Sequence, residues 1–202
     1  MYQRFRETFH DFPVITLSDI HKSFPDFDTK NLINWQKKGY LIKLRNGYYL
    51  LSENKTDEYC LYQIANKLYN PSYVSMESAL NYYGIIPEAV YSIQSVTTLK
   101  TCTFSPKVAT FNYRTIKKEL YFGYHLIKQA TATFRMATME KAVLDFLYLR
   151  ADIKDEPGIE SLRWNKTALQ QLNEKTLLDY LSLYHSGTLK KKIHLLEKYI
   201  HA

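Results

Sequence analysis

The sequence predicts an α+β protein with a small N-terminal domain and a larger C-terminal mixed domain that ends in helices. A helical pattern at residues 28–38 is followed by two short apolar runs joined at Asn46-Gly47, and Asn-Gly between such runs is a strong hairpin signal. Short alternating runs between residues 92 and 136 predict a mostly antiparallel sheet. A strongly apolar helix at residues 139–149 and further helical segments complete the pattern.

Composition and charge point to a chain with a substantial core and an anionic partner. Of the 202 residues, 46% are apolar, and such a composition does not indicate disorder. A formal charge of +7 and a pI near 9.2 favour nucleic acid ahead of a membrane surface. The separated Cys60 and Cys102 predict reduced, buried thiols. With no apolar leader and no run of about 20 apolar residues, we expect a soluble cytoplasmic protein without a membrane partner.

Two short helices are predicted before residue 25. Residues 2–10 form the first helix. Thr16 and Asp19 resemble a capping box that opens a second helix over residues 17–24. Pro25-Asp26-Phe27 then makes a tight connection to the next helix.

A third helix and a hairpin follow this connection. Asp28 is the expected N-cap, and Gly39 ends the helix because glycine adopts a left-handed conformation without steric strain. Leu32, Trp35 and also Ile33 are expected to face inward. The Asn46-Gly47 pair predicts a type I′ turn, which requires positive φ at both positions. The side chains expected to stay in solvent are Lys30, Asn34, Lys37 and Lys38.

Three helices, a short turn before the third and a hairpin after it together predict a winged helix-turn-helix. The alternative is a small α+β interaction domain with a solvated lysine face. Between Thr29 and Gly47 there are five Lys or Arg residues and no acid, which favours DNA binding. The predicted DNA contacts are Thr29, Lys30, Asn31, Asn34, Lys37, Lys38, Lys43 and Arg45.

The two ends of the third helix have different expected roles. Thr29, Lys30 and Asn31 lie in its first turn, which in this motif meets base edges or phosphates. Asn34 lies one turn further on and has the amide needed to pair bidentately with adenine.

The basic residues further along the chain are expected mainly to increase the affinity for DNA. Lys37, Lys38 and Lys43 suit phosphates, where a mobile point charge contributes affinity without sequence information. Arg45 is expected at the tip of the wing and in a minor groove, where narrow A·T-rich tracts attract guanidinium groups. Trp35 is interpreted as a core anchor.

The polar stretch at residues 52–57 is the best domain boundary. It separates a DNA-binding domain at residues 1–55 from a second domain at residues 56–202. In the second domain, Ser75 is the expected cap of a helix that Gly84 closes. The other helices are expected at 58–68, 139–149 (capped by Thr138), 165–171, 174–184 and 189–199, and the strands at 73–74, 92–98, around 103, 109–113, 121–126 and 133–136.

The sequence offers little for catalysis. It has no glycine-rich phosphate loop and no His or Cys cluster with metal spacing, so no catalytic residue, cofactor or metal is predicted. Glu140, Lys141 and Asp145 resemble a nuclease carboxylate–lysine set, but a solvated helix face is the favoured interpretation. The run at residues 190–192 is either a second phosphate-contacting patch or, as favoured, a solvated helix start.

Several stretches of the sequence resemble the AbiEi family of bacterial antitoxin-type regulators. These are NLINWQKKGYLIKLRNGYYLL, YVSMESALNYYGIIPE, VYSIQSVTT and FRMATMEKAVLDFLYL. The resemblance runs from about Leu17 to Leu149. It implies an N-terminal domain that represses its own operon and a C-terminal domain that antagonises a nucleotidyltransferase-like toxin without a stable complex. The helices after Leu149 lie outside it.

Two further expectations concern partners. A single recognition helix covers a short site, so we expect an inverted-repeat operator in double-stranded DNA, bound by a homodimer or by cooperating monomers. The alternatives are an orphan winged-helix regulator without a toxin and a protein-interaction module that does not bind DNA.

Overall fold

The computed structural model describes residues 1–54, 56–87, 91–129 and 132–201. The helices are α1 (Tyr2–Phe9), α2 (Leu17–Ser23), α3 (Lys30–Lys37), α4 (Glu58–Leu68), α5 (Met76–Tyr82), α6 (Met139–Leu149), α7 (Glu156–Glu160), α8 (Lys166–Leu169), α9 (Glu174–Leu183) and α10 (Gly187–His201), with a 3₁₀ turn at Lys118–Leu120. The strands are β1 (Ile15–Thr16), β2 (Leu41–Arg45), β3 (Tyr48–Leu51), β4 (Ser72–Val74), β5 (Ser92–Thr97), β6 (Cys102–Phe104), β7 (Thr110–Thr115), β8 (Tyr124–Gln129) and β9 (Ala132–Ala137). The chain is therefore α+β, as the sequence predicts.

The N-terminal part combines helices α1 to α3 with a three-stranded antiparallel sheet in the order β1-β3-β2. The predicted capping box is confirmed, because the Thr16 and Asp19 side chains each accept from the other residue's backbone N–H. An aromatic core joins the helices, and Trp35 lies in it with only 6% exposure. The ring of Trp35 packs against those of Tyr2, Phe5 and Phe27.

The hairpin is present, but its predicted type I′ turn is wrong. Gly47 has a φ of +77°, whereas Asn46 is not among the non-glycine residues with positive φ. The pairing of β2 with β3 instead shifts register between Lys43 and Arg45. A bulge of this kind adds local twist, so the strands can reverse with a single left-handed residue.

The larger sheet is mostly antiparallel, as predicted, but it is mixed and contains parallel pairs that the sequence did not predict. Its strand order is β6-β7-β5-β4-β9-β8. The pairs β5–β7 and β4–β9 are parallel, and the other three neighbouring pairs are antiparallel. Alternation in a sequence identifies strands, but the neighbours of each strand depend on the path of the whole chain.

Helices α4, α5 and α6 position the larger sheet. Helix α4 packs on β4, β5 and β9, α5 packs on β5 and α6, and both α9 and α10 pack on α6. Two apolar clusters result, one around Trp35 and one around the larger sheet. Val14, Leu44 and Leu50 come from the N-terminal part but belong to the larger cluster, so the two parts share a packed contact.

The C-terminal third departs from the sequence prediction in one segment. The acidic residues with Pro and Gly at 151–160 predict a loop, but this segment contains α7. The Asp155 side chain caps this helix at Gly158 N, and Ile159 is buried, so a single apolar anchor makes a short helix stable against the core. Within the described ranges, no helix is both long and apolar enough to cross a bilayer.

Candidate nucleic-acid interface

Helix α3 is fixed at both ends by local chemistry. Asp28 Oδ1 accepts a hydrogen bond from Lys30 N at 2.9 Å, so this carboxylate caps the first turn as predicted, although the helix boundary itself lies at Thr29. After the helix, Gly39 adopts a φ of +74°, and Tyr40 N donates to Trp35 O at 2.9 Å. These contacts hold the helix while Leu32 and Trp35 anchor its inner face.

The outer face of α3 carries a stripe of four exposed side chains, Lys30, Ile33, Asn34 and Lys37, named here the α3 stripe. Their spacing of three and four residues places them on one side of a helix. Ile33 was expected to face inward, but it is 56% exposed. Because Leu32 and Trp35 define the buried side, Ile33 is rotated towards solvent among the basic and amide groups. The stripe therefore combines charge, hydrogen bonding and an apolar contact.

A groove separates the α3 stripe from the hairpin. Its volume is about 530 Å³, and its lining includes Thr29, Ile33 and Lys37 from the helix side and Lys43 and Asn46 from the hairpin. The helix and the hairpin thus present lysines to the same space. This arrangement suits a phosphate backbone, which is bound by lysines without reading sequence.

Two of the predicted contacts occupy less favourable positions. Asn31 is half-buried, and its amide Nδ2 donates to Asp28 O at 3.0 Å. It lies beside the α3 stripe and faces the N terminus, where Nδ2 is 3.7 Å from Met1 Sδ. Lys38 is exposed at the end of the helix. Like Lys30, Asn34 and Arg45, it lies outside the groove-lining set.

Arg45 does not project from the hairpin tip. Its guanidinium carbon lies 3.9 Å from the ring centroid of Tyr48 and 5.5 Å from that of Phe104. Phe104 belongs to β6, so this arginine joins the hairpin to the larger sheet. Stacking on aromatic faces is a favourable use of a guanidinium group, and it competes with the predicted minor-groove role.

The residues Glu140, Lys141 and Asp145 do not form a solvated face, and that interpretation is wrong. Lys141 and Asp145 are both 0% exposed, because α6 is covered by neighbours on several sides. Glu140 lies apart and accepts from Asn173 N at 3.0 Å. The three side chains therefore do not converge on a solvent-accessible site.

The buried pair is the centre of a hydrogen-bonded cluster. Lys141 Nζ donates to Asp145 Oδ1 and lies 2.6 Å from Tyr184 Oη. Tyr73 Oη and Ser75 Oγ donate to Asp145 Oδ2 at 2.9 and 2.8 Å. Ser75 makes no side-chain cap on α5, which corrects its expected role, because its hydroxyl is used by this carboxylate.

Burial dominates the electrostatics of this cluster. Desolvation lowers the pKa of Lys141, and the neighbouring Asp145 opposes that change. Burial, followed by the charge of Asp145, raises the pKa of Tyr73 well above its usual value. The polar atoms satisfy one another, so the cluster joins β4, α6 and α9 and offers no open position to a substrate.

Sequence reasoning missed the exposure of Ile33 on α3 and the burial of Lys141 and Asp145. The helical period at Leu32 and Trp35 was the available signal for Ile33. Over the described ranges, no group of three His, Cys, Asp or Glu side chains is placed to hold a metal ion. Comparison of the sequence with protein-family models and with curated proteins gives no match.

Proposed function

We propose that the N-terminal part is a winged helix-turn-helix and that the protein binds double-stranded operator DNA to repress its own operon. One observation carries this proposal: Ile33 and Lys37 of the exposed α3 stripe line the same groove as Lys43 of the hairpin. Lys37 and Lys43 supply phosphate contacts, and Asn34 supplies an amide for adenine. Ile33 adds an apolar side chain suited to a thymine methyl group.

Fluorescence anisotropy tests this function directly. The full chain is titrated with a duplex from the DNA upstream of its own gene and with a random duplex of equal length, across a range of salt concentrations. We expect salt-sensitive binding with preference for the upstream duplex. Equal affinity for the two duplexes would overturn specific regulation, and the absence of binding would favour the protein-interaction alternative.

A matched pair of lysine variants locates the interface. Lys37→Ala should weaken binding to all sequences and reduce the salt slope by about one. Lys154→Ala is the control, because Lys154 is an exposed lysine in the C-terminal third. An equal loss in both variants would indicate a general charge effect and no contact at α3.

We further propose that the protein acts on an inverted repeat and antagonises a nucleotidyltransferase-like toxin. The antitoxin role is supported by the AbiEi-like segments. One segment contributes Tyr73 and Ser75 to the buried cluster, and another contributes Lys141 and Asp145. A stable complex with the toxin is not required. Sedimentation with and without DNA tests the repeat, since a single protein per saturated operator would refute it.

Co-expression separates the antitoxin role from DNA binding. A nucleotidyltransferase-like protein encoded beside this gene is expressed alone, with the full chain, and with Lys37→Ala. We expect growth to be restored by both forms of the chain, because Lys37 lies on α3 whereas the buried cluster around Lys141 and Asp145 lies against the larger sheet. Failure of both forms to restore growth would refute the antitoxin role.

A further inference from the structure

A polar cavity of about 440 Å³ opens between the larger sheet and the adjoining ends of α5 and α6. Side chains on one face of β7 form the floor of this cavity. Tyr113 Oη donates to Ala65 O, so Tyr113 faces α4. Since side chains alternate across a strand, Asn112 and Arg114 face the opposite side of the sheet, where the cavity lies. It is separate from the α3 stripe and from the buried cluster around Lys141.

The floor of the cavity is an ordered array of amides and hydroxyls. Thr103 Oγ1 donates to Asn112 Oδ1 at 2.8 Å. Asn112 Nδ2 and Gln94 Nε2 donate to Ser92 Oγ at 3.2 and 3.0 Å. Each amide has two N–H donors and a carbonyl with two lone pairs, so both retain hydrogen-bonding capacity. A floor fixed in this way is prepared for a ligand rich in hydroxyl groups.

The rim has cationic groups and a partly exposed carboxylate. Arg114 is exposed and forms no ion pair with any residue that the structure describes. Arg150 is held by Asp152, and its Nη1 lies 3.5 Å from Glu77 Oε1. The Glu77 side chain is 28% exposed, although its Oε2 is buried and has no hydrogen-bond partner among the described residues.

We propose that this cavity binds a small phosphorylated molecule with several hydroxyl groups, of the sugar-phosphate class. The phosphate accepts from Arg114 and from Nη1 of Arg150, since its three oxygens can serve both guanidinium groups. The hydroxyls donate to Glu77 Oε1, because Oε2 is closed to solvent, and bond with the amides of Gln94 and Asn112. The volume is within the range of ordinary small-molecule sites.

Isothermal titration of the full chain tests the proposal, with ribose 5-phosphate as the probe and inorganic phosphate and ribose as its separate halves. We expect saturable binding of ribose 5-phosphate that is at least about tenfold tighter than that of either half. Phosphate alone leaves Glu77 and the amides without a partner, and ribose alone leaves the two arginines without one. Absence of saturable binding would overturn the proposal. Phosphate binding as tightly as ribose 5-phosphate would also overturn it, since Glu77 and the amide floor would then have no role.

Two variants and a control place the ligand. Arg114→Gln and Glu77→Gln should each weaken ribose 5-phosphate binding by about tenfold or more, which corresponds to one lost hydrogen bond with a charged group. Lys118→Gln removes the same charge as Arg114→Gln at an exposed position outside the cavity lining and should bind normally. Equal weakening in the control would refute the cavity as the site. Circular dichroism and unchanged DNA affinity confirm that the variants are folded.

Discussion

Lys141 and Asp145 lie one helical turn apart on α6 and form an ion pair from which solvent is excluded, with Nζ and Oδ1 2.5 Å apart. Tyr73, Ser75 and Tyr184 complete the hydrogen bonding of the pair. A buried pair gains little net free energy over apolar residues of the same size, but a single unpaired charge left in the core is very unfavourable. The pair therefore specifies how α6 docks against β4 and α9.

A double-mutant cycle tests this role. Lys141→Met or Asp145→Leu alone should lower the free energy of unfolding by about 3–5 kcal/mol, whereas the combined Lys141→Met/Asp145→Leu change should lower it by less than the sum of the single effects. Urea unfolding measures each value. The exposed pair His194–Glu197 supplies the control, and Glu197→Gln should change stability by less than about 1 kcal/mol. Single effects as small as the control would contradict the buried role.

Lys192 stabilises the end of α6. Its Nζ donates to Leu147 O and to Arg150 O, both at 2.7 Å, and only 4% of the residue is exposed. The favoured interpretation of residues 190–192 as a solvated helix start is therefore wrong for Lys192. Lys192→Met should lower the free energy of unfolding by about 1.5–3 kcal/mol, the range for hydrogen bonds made by charged groups.

The neighbouring lysine is a matched control for this substitution. Lys191 is exposed on the same helix, so Lys191→Met removes the same charge without removing these two hydrogen bonds. Urea unfolding of the two variants should differ clearly. Equal unfolding midpoints would show that the carbonyl contacts of Lys192 contribute nothing measurable.

Gly123 lies close to the buried pair. A Cβ at this position would come within 2.9 Å of Tyr180 Cε2 and 3.1 Å of Lys141 Cγ, and the φ of +67° is itself unfavourable for other residues. Gly39→Ala is the control, since Gly39 has a φ of +74° with open space around it. Both variants should lose about 1 kcal/mol from backbone strain, and thermal unfolding should show a further loss only for Gly123→Ala. Equal losses would indicate that Tyr180 and Lys141 move freely.

Stability is expected to fall at alkaline pH. Burial raises the pKa of Tyr62, Tyr73 and Tyr113 above the usual value of 10.0. Above that pH the unfolded chain releases tyrosine protons that the folded chain retains, so the unfolded state binds fewer protons and stability falls as pH rises. Lys141 and Lys192 act in the opposite sense, since their lowered pKa makes stability rise as pH approaches 10.5.

The tyrosines should outweigh the lysines above pH 10.0, where each contributes up to about 1.4 kcal/mol per pH unit. Urea unfolding between about pH 9 and about pH 11, with tyrosinate absorbance, measures the effect. Tyr113→Phe should reduce the slope, whereas Tyr91→Phe, at a position that is 96% exposed, should not. Full tyrosine ionisation near pH 10 in the folded protein would contradict the expectation.

Ile33 should contribute to sequence preference more than to general affinity. An apolar contact with a thymine methyl group discriminates between bases and leaves phosphate contacts intact. Ile33→Ala should therefore weaken binding to the upstream duplex while leaving binding to random DNA unchanged in the anisotropy assay. Leu178→Ala is a control of similar exposure on α9. Equal weakening with both duplexes would indicate that Ile33 supports folding or general contact with the DNA backbone.

Local chemistry in the sequence was sufficient for most helices and strands. The Thr16–Asp19 capping box, the end of α3 at Gly39 and the start of α6 at Thr138 are decided within a few residues. Apolar spacing placed Leu32 and Trp35 in the core. These features are predictable because capping, left-handed glycines and helical period act over one or two turns of chain.

Tertiary structure decided the features that depend on distant neighbours. The parallel pairing of β5 with β7 needs the intervening chain to cross over, and alternation cannot reveal it. Asp145 is buried because residues more than thirty positions away on either side, Tyr73 and Tyr184, cover it. Arg45 stacks on Phe104 only when the hairpin meets the larger sheet. A charged residue looks the same in sequence whether solvent or another element will cover it, because burial is a property of the assembled chain.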